Sequence, residues 1–361
     1  MNDTAASPSI AEPEALIERR GKAGVIILNR PKALNALTLG MVRDISAALD
    51  RFERDPEVER VVVSGAGGKA FCAGGDIRKL HDQGKAGDHA SQLAFWREEY
   101  VLNRRIKRYS KPYVALIDGI VMGGGVGLSM HGSHRVATET SVFAMPEVGI
   151  GFFPDVGATY LMSRAPHNLG VFLAVTGLRA HAGDVVAMGL ANAFASRATL
   201  PALAEALERE SGPVERILAR FAAAPPSSPL MEEAEIIDAA FARLELGAIE
   251  ARLGEAAQQG SAFAKKALAA MLEKSPTSQA IALRQMRDGR ELSFEAAMTM
   301  EFRIVSRVCR SHDFYEGVRA VIVDKDNKPV WKPAAGEPVD PGAIDAYFAP
   351  LGDQDLTFEG S

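Results

Sequence analysis

Tyr113-Val-Ala-Leu-Ile117, followed by Asp118-Gly-Ile-Val-Met122 and then Gly123-Gly-Gly-Val-Gly127 with Leu128-Ser-Met130, is the stretch that decides the architecture. Its first five residues are apolar and of strand length, with nothing polar to face water on either side, the pattern of a strand buried on both faces. Three successive glycines then permit a sharp turn. The apolar run after them lets a helix N-terminus come close to a neighbour and present N–H donors where its dipole favours negative charge. The competing reading of the same glycines is close helix packing with no ligand. Asp118 and the glycines from 119 to 127 make the stretch poor material for a membrane span, and a soluble protein is expected.

Working outward, the same alternation recurs. Val25-Ile-Ile-Leu28 and Val61-Val-Val63 are β-branched runs, and between them Leu37, Met41, Ile45, Leu49 and Phe52 repeat at helical spacing until Asp55-Pro56 stops them. A further helical stretch is expected around Ala90 to Lys107. Strands alternating with helices predict an α/β core over residues 15–200, with its strands covered on both faces. From about Pro201 the composition turns to Ala, Leu, Glu and Arg at helical period, broken by Pro225-Pro-Ser-Ser-Pro229, so residues 201–361 are expected to be mostly helical. Val318 to Asp324 reads as a short terminal extended segment, followed by a turn at Lys325–Pro329. Residues 1–14 read as a disordered tail without the pattern of a secretion signal or transit peptide, and a cytoplasmic location is expected.

The chain has 361 residues, 47% of them hydrophobic, which excludes general disorder. Its 41 basic and 46 acidic residues give a net charge of −5, so there is no long-range attraction for nucleic acid or an anionic membrane, and any anionic ligand must be held locally. Cys72 and Cys309 lack CxxC partners, and His131 and His134 lack a completing ligand, so no disulfide framework and no metal site is expected.

Three further runs can carry chemistry. Gly65-Ala-Gly-Gly-Lys-Ala-Phe-Cys-Ala-Gly-Gly-Asp76 follows a strand directly, and its glycines leave main-chain N–H groups unshielded. Phe143-Ala-Met-Pro-Glu147 continues to Asp155 through Phe, Ile and Val, a setting in which a carboxylate is costly unless it has a partner or a task. Glu98-Glu99 lies on an expected helix and by itself would be a solvent face. Neither glycine run fits a nucleotide fingerprint, because Leu128 stands where a small residue is needed and the Gly-Lys pairs at 68–69 and 84–85 are followed by alanine.

Together these runs resemble the enoyl-CoA hydratase/isomerase, or crotonase, superfamily: Asn29-Arg-Pro31 with Asn35-Ala-Leu37, Ala73-Gly-Gly-Asp76, Gly123-Gly-Gly125 and Pro146-Glu147 occur in that order. From about Leu28 to Leu351 the chain is similar to the 3-hydroxyisobutyryl-CoA hydrolase branch, through Arg97-Glu-Glu-Tyr100, Phe152-Phe-Pro-Asp-Val-Gly157, Ser275-Pro-Thr-Ser278, His312-Asp-Phe-Tyr-Glu-Gly-Val-Arg319 and Trp331-Lys-Pro333. The resemblance implies a crotonase-like spiral of ββα units and hydrolysis of a 3-hydroxyisobutyryl-CoA or 3-hydroxypropionyl-CoA thioester, a step of valine breakdown. It implies an oxyanion hole from the Gly75 and Gly124 N–H groups, and Glu147 as nucleophile or general base. Asp155 would join the catalytic set, and Glu99 would line the acyl pocket with it, at least one of the two accepting from the substrate hydroxyl. Coenzyme A would bend around Lys32-Ala-Leu34 and the loop from Ala73 to Ile77, Asp76 included. No cofactor beyond coenzyme A itself is implied, and the relatives form homo-oligomers. Hydratases of this superfamily carry a second glutamate where this chain has Gly127, which weighs against hydration. A hydratase or isomerase, and a non-catalytic acyl-CoA-binding protein, are the alternatives.

Overall fold

The computed structural model describes residues 12–358. β1 (Ala15–Arg20) and β2 (Ala23–Leu28) form an antiparallel hairpin, and α1 (Leu39–Arg54) follows. Thr38 caps α1 by accepting from the Met41 N–H, and Met41, Val42, Ile45, Ala48, Leu49 and Phe52 make its buried face. Gly24 is required where Phe52 crosses β2, since a Cβ there would lie 2.4 Å from the ring.

The chain then runs three times through one cycle. β3 (Arg60–Gly65) leads to β4 (Ala70–Cys72), α2 (Ile77–Lys85) and α3 (His89–Lys107). β5 (Tyr113–Ile117) leads to β6 (Ile120–Met122) and α4 (Gly124–Ser129), and β7 (His134–Ala137) leads to β8 (Val142–Ala144). In each cycle the first strand joins a large sheet and the second a small one. With β9 (Arg179–His181) and β10 (Ala193–Phe194) the sheet orders are β1-β2-β3-β5-β7-β10 and β4-β6-β8-β9. Pairing is parallel from β2 to β10 in the large sheet, with Val25 opposite Val62, Val62 opposite Val114 and Leu116 opposite Val136. This is the expected spiral of ββα units. Its apolar strands are covered on both faces, as parallel strands require: one face by α1 and α3, the other by Leu203, Leu207, Val214 and Ile217.

From Leu200 onward the described chain is mostly helical, with irregular stretches at 222–228 and 324–340. The helix Leu200–Arg209 is tied to the large sheet by Arg60. Its buried guanidinium donates to the carbonyls of Leu207 and Glu210 at 2.8 and 2.6 Å and to that of Gly212 at 2.9 Å. Two sequence expectations change. Arg319–Val323 is not extended: it forms a wide helical turn in which the Asp324 N–H reaches the Arg319 carbonyl at 2.8 Å, because the helix His312–Val318 runs directly into it and packing overrides the β-branched composition. Of the expected tail, residues 1–11 lie outside the described residues, while Glu14 is fixed by Thr38 Oγ1 at 2.6 Å and by Arg30 at 3.0 Å. Among the described residues no helix is long and apolar enough to cross a membrane.

Candidate active site

The two glycine runs meet because each ends a strand of the small sheet. The loop after β4 is stitched to the loop Arg30–Leu37: Ala73 N–H donates to Leu34 O at 3.0 Å, Leu37 N–H to Gly74 O at 2.8 Å and Asp76 N–H to Leu37 O at 2.8 Å. Asn35 holds the base of this double loop, with its amide on the carbonyls of Ala66 and Ala70. The turn after β6 then brings Gly124 alongside. A Cβ on Gly124 would lie 3.4 Å from Gly75 N, 2.9 Å from Leu37 Cδ1 and 2.6 Å from Glu99 Oε1. Only a residue without a side chain leaves that space open. Among the described residues, neither the Gly75 nor the Gly124 N–H meets an acceptor.

Around this point lies a cavity of about 370 Å³, lined by Ala73 to Gly75, Ile77, Phe95, Trp96, Glu99, Gly123, Gly124, Glu147, Phe152 and Asp155, and by Lys274, Val321, Ile322 and Asn327 from the helical region. Of the residues named from sequence, it gathers Gly75, Gly124, Glu147, Asp155, Glu99, Ala73 and Ile77. Lys32, Leu34 and Asp76 do not line it. Lys32 is exposed on a 3₁₀ turn, and the Asp76 carboxylate is already used, capping α2 through the Lys79 N–H and pairing with Arg30 at 3.1 Å. Glu98 is the solvent-facing member of its pair, bound to Arg43, while Glu99 is 2% exposed.

Glu147 opens a 3₁₀ turn after Pro146, and its Oε2 is buried without a partner. A Cβ on Gly123 would lie 3.2 Å from its Oε1, so this acid and Glu99 flank the Gly123–Gly124 turn. Asp155 Oδ2 accepts from the Tyr100 hydroxyl at 2.8 Å. Burial, reinforced by the charge of Asp155, pushes the Glu147 carboxyl well above the ordinary carboxylate range. Burial lifts Asp155 to about 7 against the opposing pull of Tyr100. Burial and Asp155 raise Glu99 as well. Three buried acids lining one cavity do not all ionise at neutral pH. The Tyr100 bond favours the anion on Asp155, whereas burial without a partner for Oε1 favours the neutral form of Glu99.

Sequence reasoning missed the aromatic wall, where Trp96 stacks on Phe152 with centroids 5.5 Å apart, and it missed the contribution of Val321, Ile322 and Asn327. It also gave no role to three of the motifs that carried the closer resemblance, those at 275–278, 312–319 and 331–333. Ser275 Oγ donates to Asp313 Oδ2 at 2.6 Å, the Lys332 N–H donates to Asp313 Oδ1 at 2.9 Å, and Trp331 Nε1 donates to the Glu273 carbonyl at 3.1 Å. Gly317 presses the helix His312–Val318 onto Ile150, where a Cβ would lie 2.3 Å from the Ile150 carbonyl carbon. These motifs therefore brace the turn that presents Glu147.

The family model for enoyl-CoA hydratase/isomerase matches residues 23–348, nearly the whole described chain. The chain belongs to the enoyl-CoA hydratase/isomerase family. Within that family it is 47% identical over 354 residues to the mitochondrial 3-hydroxyisobutyryl-CoA hydrolase of Rattus norvegicus, covering 96% of this chain and 91% of the relative. It is 44% identical over 357 residues to the one of Homo sapiens, covering 96% and 92%. Two solved structures of the enoyl-CoA hydratase/isomerase fold superpose closely. A carnitinyl-CoA dehydratase from Mycobacterium thermoresistibile has a TM-score of 0.91 at 41% identity, covering 96% of this chain and 99% of its own. An enoyl-CoA hydratase from Rhodobacter sphaeroides 2.4.1 has a TM-score of 0.89 at 44% identity, covering 96% and 100%. One expectation is corrected here. The hydrolase relatives are named as mitochondrial, so the expected cytoplasmic location is not upheld; the composition of residues 1–14, on which that expectation rested, does not specify a compartment.

Proposed function

We infer that this chain hydrolyses the thioester of 3-hydroxyisobutyryl-CoA to the free hydroxy acid and coenzyme A, the reaction named for its hydrolase relatives and a step of valine degradation. The observation that carries the reading is the meeting of two unengaged N–H groups, from separate turns, beside the buried Glu147. Thioester cleavage moves charge onto the carbonyl oxygen, and fixed donors at that atom stabilise it where water is excluded. Gly75 and Gly124 supply those donors. Glu147 attacks the carbonyl carbon itself, breaking the C–S bond and expelling the coenzyme A thiolate to leave a mixed anhydride that water then hydrolyses, or it takes a proton from a water that attacks the carbonyl and displaces the same thiolate. Label from heavy-oxygen water found in the Glu147 carboxyl after a single turnover selects the anhydride route.

Asp155 and Glu99 select the acyl group. With Asp155 Oδ2 engaged by Tyr100, Oδ1 accepts from the substrate hydroxyl, while protonated Glu99 donates to the hydroxyl oxygen. A site built this way rejects an acyl chain lacking the hydroxyl more strongly than one lacking a methyl, so 3-hydroxypropionyl-CoA is also a substrate. Coenzyme A enters with the substrate along the Ala73–Ile77 loop, and the scheme needs no resident cofactor.

The solved dehydratase and hydratase structures favour hydration as a second reading. Against it, the place of a second acid on α4 is held by Gly127, over which Asn103 packs so tightly that a Cβ would lie 2.5 Å from its Nδ2. Release of free thiol from 3-hydroxyisobutyryl-CoA, read with a disulfide dye, tests the hydrolase. Loss of the enoyl-thioester absorbance of crotonoyl-CoA without thiol release would establish the hydratase instead.

A further inference from the structure

The helix Phe294–Val308 carries an apolar stripe, Phe294, Ala297, Met298, Ile304, Val305 and Val308, and in the middle of it stands Glu301, with no exposed surface. A carboxyl there has lost its hydration and is tolerated only if something replaces the water. What replaces it is the backbone of the loop that carries Asp155. Glu301 Oε2 accepts from the Gly157 N–H at 2.7 Å and Oε1 from the Thr159 N–H at 2.9 Å. These are N–H groups at the start of α5 (Ala158–Met162), a helix whose own N-cap, Gly157, has no side chain to satisfy them.

The loop needs holding. Val156 sits at φ +54°, a left-handed conformation that a β-branched residue adopts only where its surroundings over-determine it, and Gly157 follows at +85°. Those surroundings are three buried polar side chains outside the cavity. Besides Glu301, Gln285 Nε2 donates to the Pro154 carbonyl at 3.0 Å and to Thr159 Oγ1 at 2.8 Å, and His131 Nε2 donates to the Val156 carbonyl at 2.7 Å. Burial lowers the His131 ring to about 4, so it is neutral and bonds as a fixed tautomer. Residues on both sides of Asp155 are thus pinned from behind, while among the described residues Tyr100 is the side chain hydrogen-bonded to its carboxylate.

We propose that Glu301 and Gln285 are positioning residues: they never touch substrate, but they fix the strained loop so that Asp155 meets the substrate hydroxyl, and so set the preference for 3-hydroxyacyl thioesters. The proposal rests on the assignment of Asp155 made above. Glu301→Gln keeps the size of the side chain but turns an NH₂ donor toward an N–H donor, so one of the two bonds must break. Gln285→Met removes the Pro154 bond at similar volume.

The test is the ratio of kcat/KM for 3-hydroxyisobutyryl-CoA to that for isobutyryl-CoA, measured by thiol release in the full-length enzyme, wild type and variants, with circular dichroism to establish folding. A displacement of an ångström at a contact costs about a hundredfold. Both variants are therefore expected to lower the ratio by about tenfold to a hundredfold, through the hydroxylated substrate, while the rate on isobutyryl-CoA stays within about threefold of wild type. A parallel fall on both substrates, or an unchanged ratio, overturns the proposal. If Glu301→Gln does not fold, Gln285→Met decides by the same two criteria. Asp155→Leu, which takes the acceptor away altogether, separates the two levels of the argument. A ratio preserved in Asp155→Leu removes the assignment of Asp155 and the proposal with it. A ratio lost in Asp155→Leu but kept in the other two variants overturns the positioning role alone.

Discussion

Replacing Gly124 by alanine tests the centre of the proposed chemistry with one methyl group. Gly124 has ordinary helical dihedrals, so alanine is not strained there, and helix propensity favours it by up to about 1 kcal/mol. The added Cβ would meet Glu99 Oε1 at 2.6 Å and Leu37 Cδ1 at 2.9 Å, the ends of two side chains that can turn aside, and it would stand 3.4 Å from Gly75 N. The fold therefore tolerates the methyl, but the space between the two N–H groups does not. Denying the carbonyl oxygen one fixed donor costs about 3–4 kcal/mol of transition-state stabilisation, or roughly a hundredfold to a thousandfold in kcat. Gly125→Ala is the contrasting variant, because its Cβ would lie 2.2 Å from the Cys72 backbone oxygen and would damage the fold first. The assay is thiol release on 3-hydroxyisobutyryl-CoA, with thermal melting alongside. A Gly124→Ala enzyme that melts like wild type and retains kcat within about threefold would refute the placement of the oxyanion.

Glu147→Gln is expected to lower kcat by at least about a thousandfold while substrate still binds, as measured by thiol release and by calorimetric titration. Because only the ionised form of Glu147 can attack or accept a proton, kcat/KM should rise with pH along a limb lying above the usual carboxylate range. Asp155 adds negative charge beside it, so Asp155→Asn should move that limb to lower pH; a limb that stays put or moves upward contradicts the electrostatics. The same burial has a cost in stability. Asp155 is displaced from 3.8 to about 7 in the folded state, so its contribution is complete below pH 3.8 and is lost as pH rises toward 7, at most about 4 kcal/mol at 1.36 kcal/mol per pH unit. Urea melts of wild type and Asp155→Asn at pH 5 and pH 8 should show the variant gaining on wild type at the higher pH. Arg60→Met leaves the carbonyls of Leu207, Glu210 and Gly212 without their donor and should destabilise the fold by about 3 kcal/mol, visible as a lowered urea midpoint.

The parts of this molecule that the sequence discloses are those where one physical signal acts alone. Tyr113–Ile117 is a strand to the residue because a fully apolar run between a proline-containing turn and an Asp-Gly pair has no other stable use. Glu147 and Asp155 were visible as carboxyls in an apolar run, and the glycines as places where the backbone must be bare. What stayed hidden depends on contacts distant along the chain. Asp76 has the same composition signal as a ligand-binding acid, but Arg30 and the N-terminus of α2 claim it. Val318–Asp324 has the composition of a strand and is helical because its neighbours are. Glu301 did leave a mark, a lone acid on the buried stripe of a helix; the stripe can be drawn from the sequence, but the loop it faces cannot.

The turn Arg319–Val323 brings Val321 and Ile322 onto a cavity whose glycines were laid down some two hundred residues earlier. Synthesis runs from the N-terminus at about 5–20 residues per second, so a ribosome has finished the parallel sheet for several seconds before the last wall of the pocket emerges. The pocket that holds the buried acids is thus completed only by residues from the C-terminal helical part of the chain, after the sheet that carries its glycines has been made.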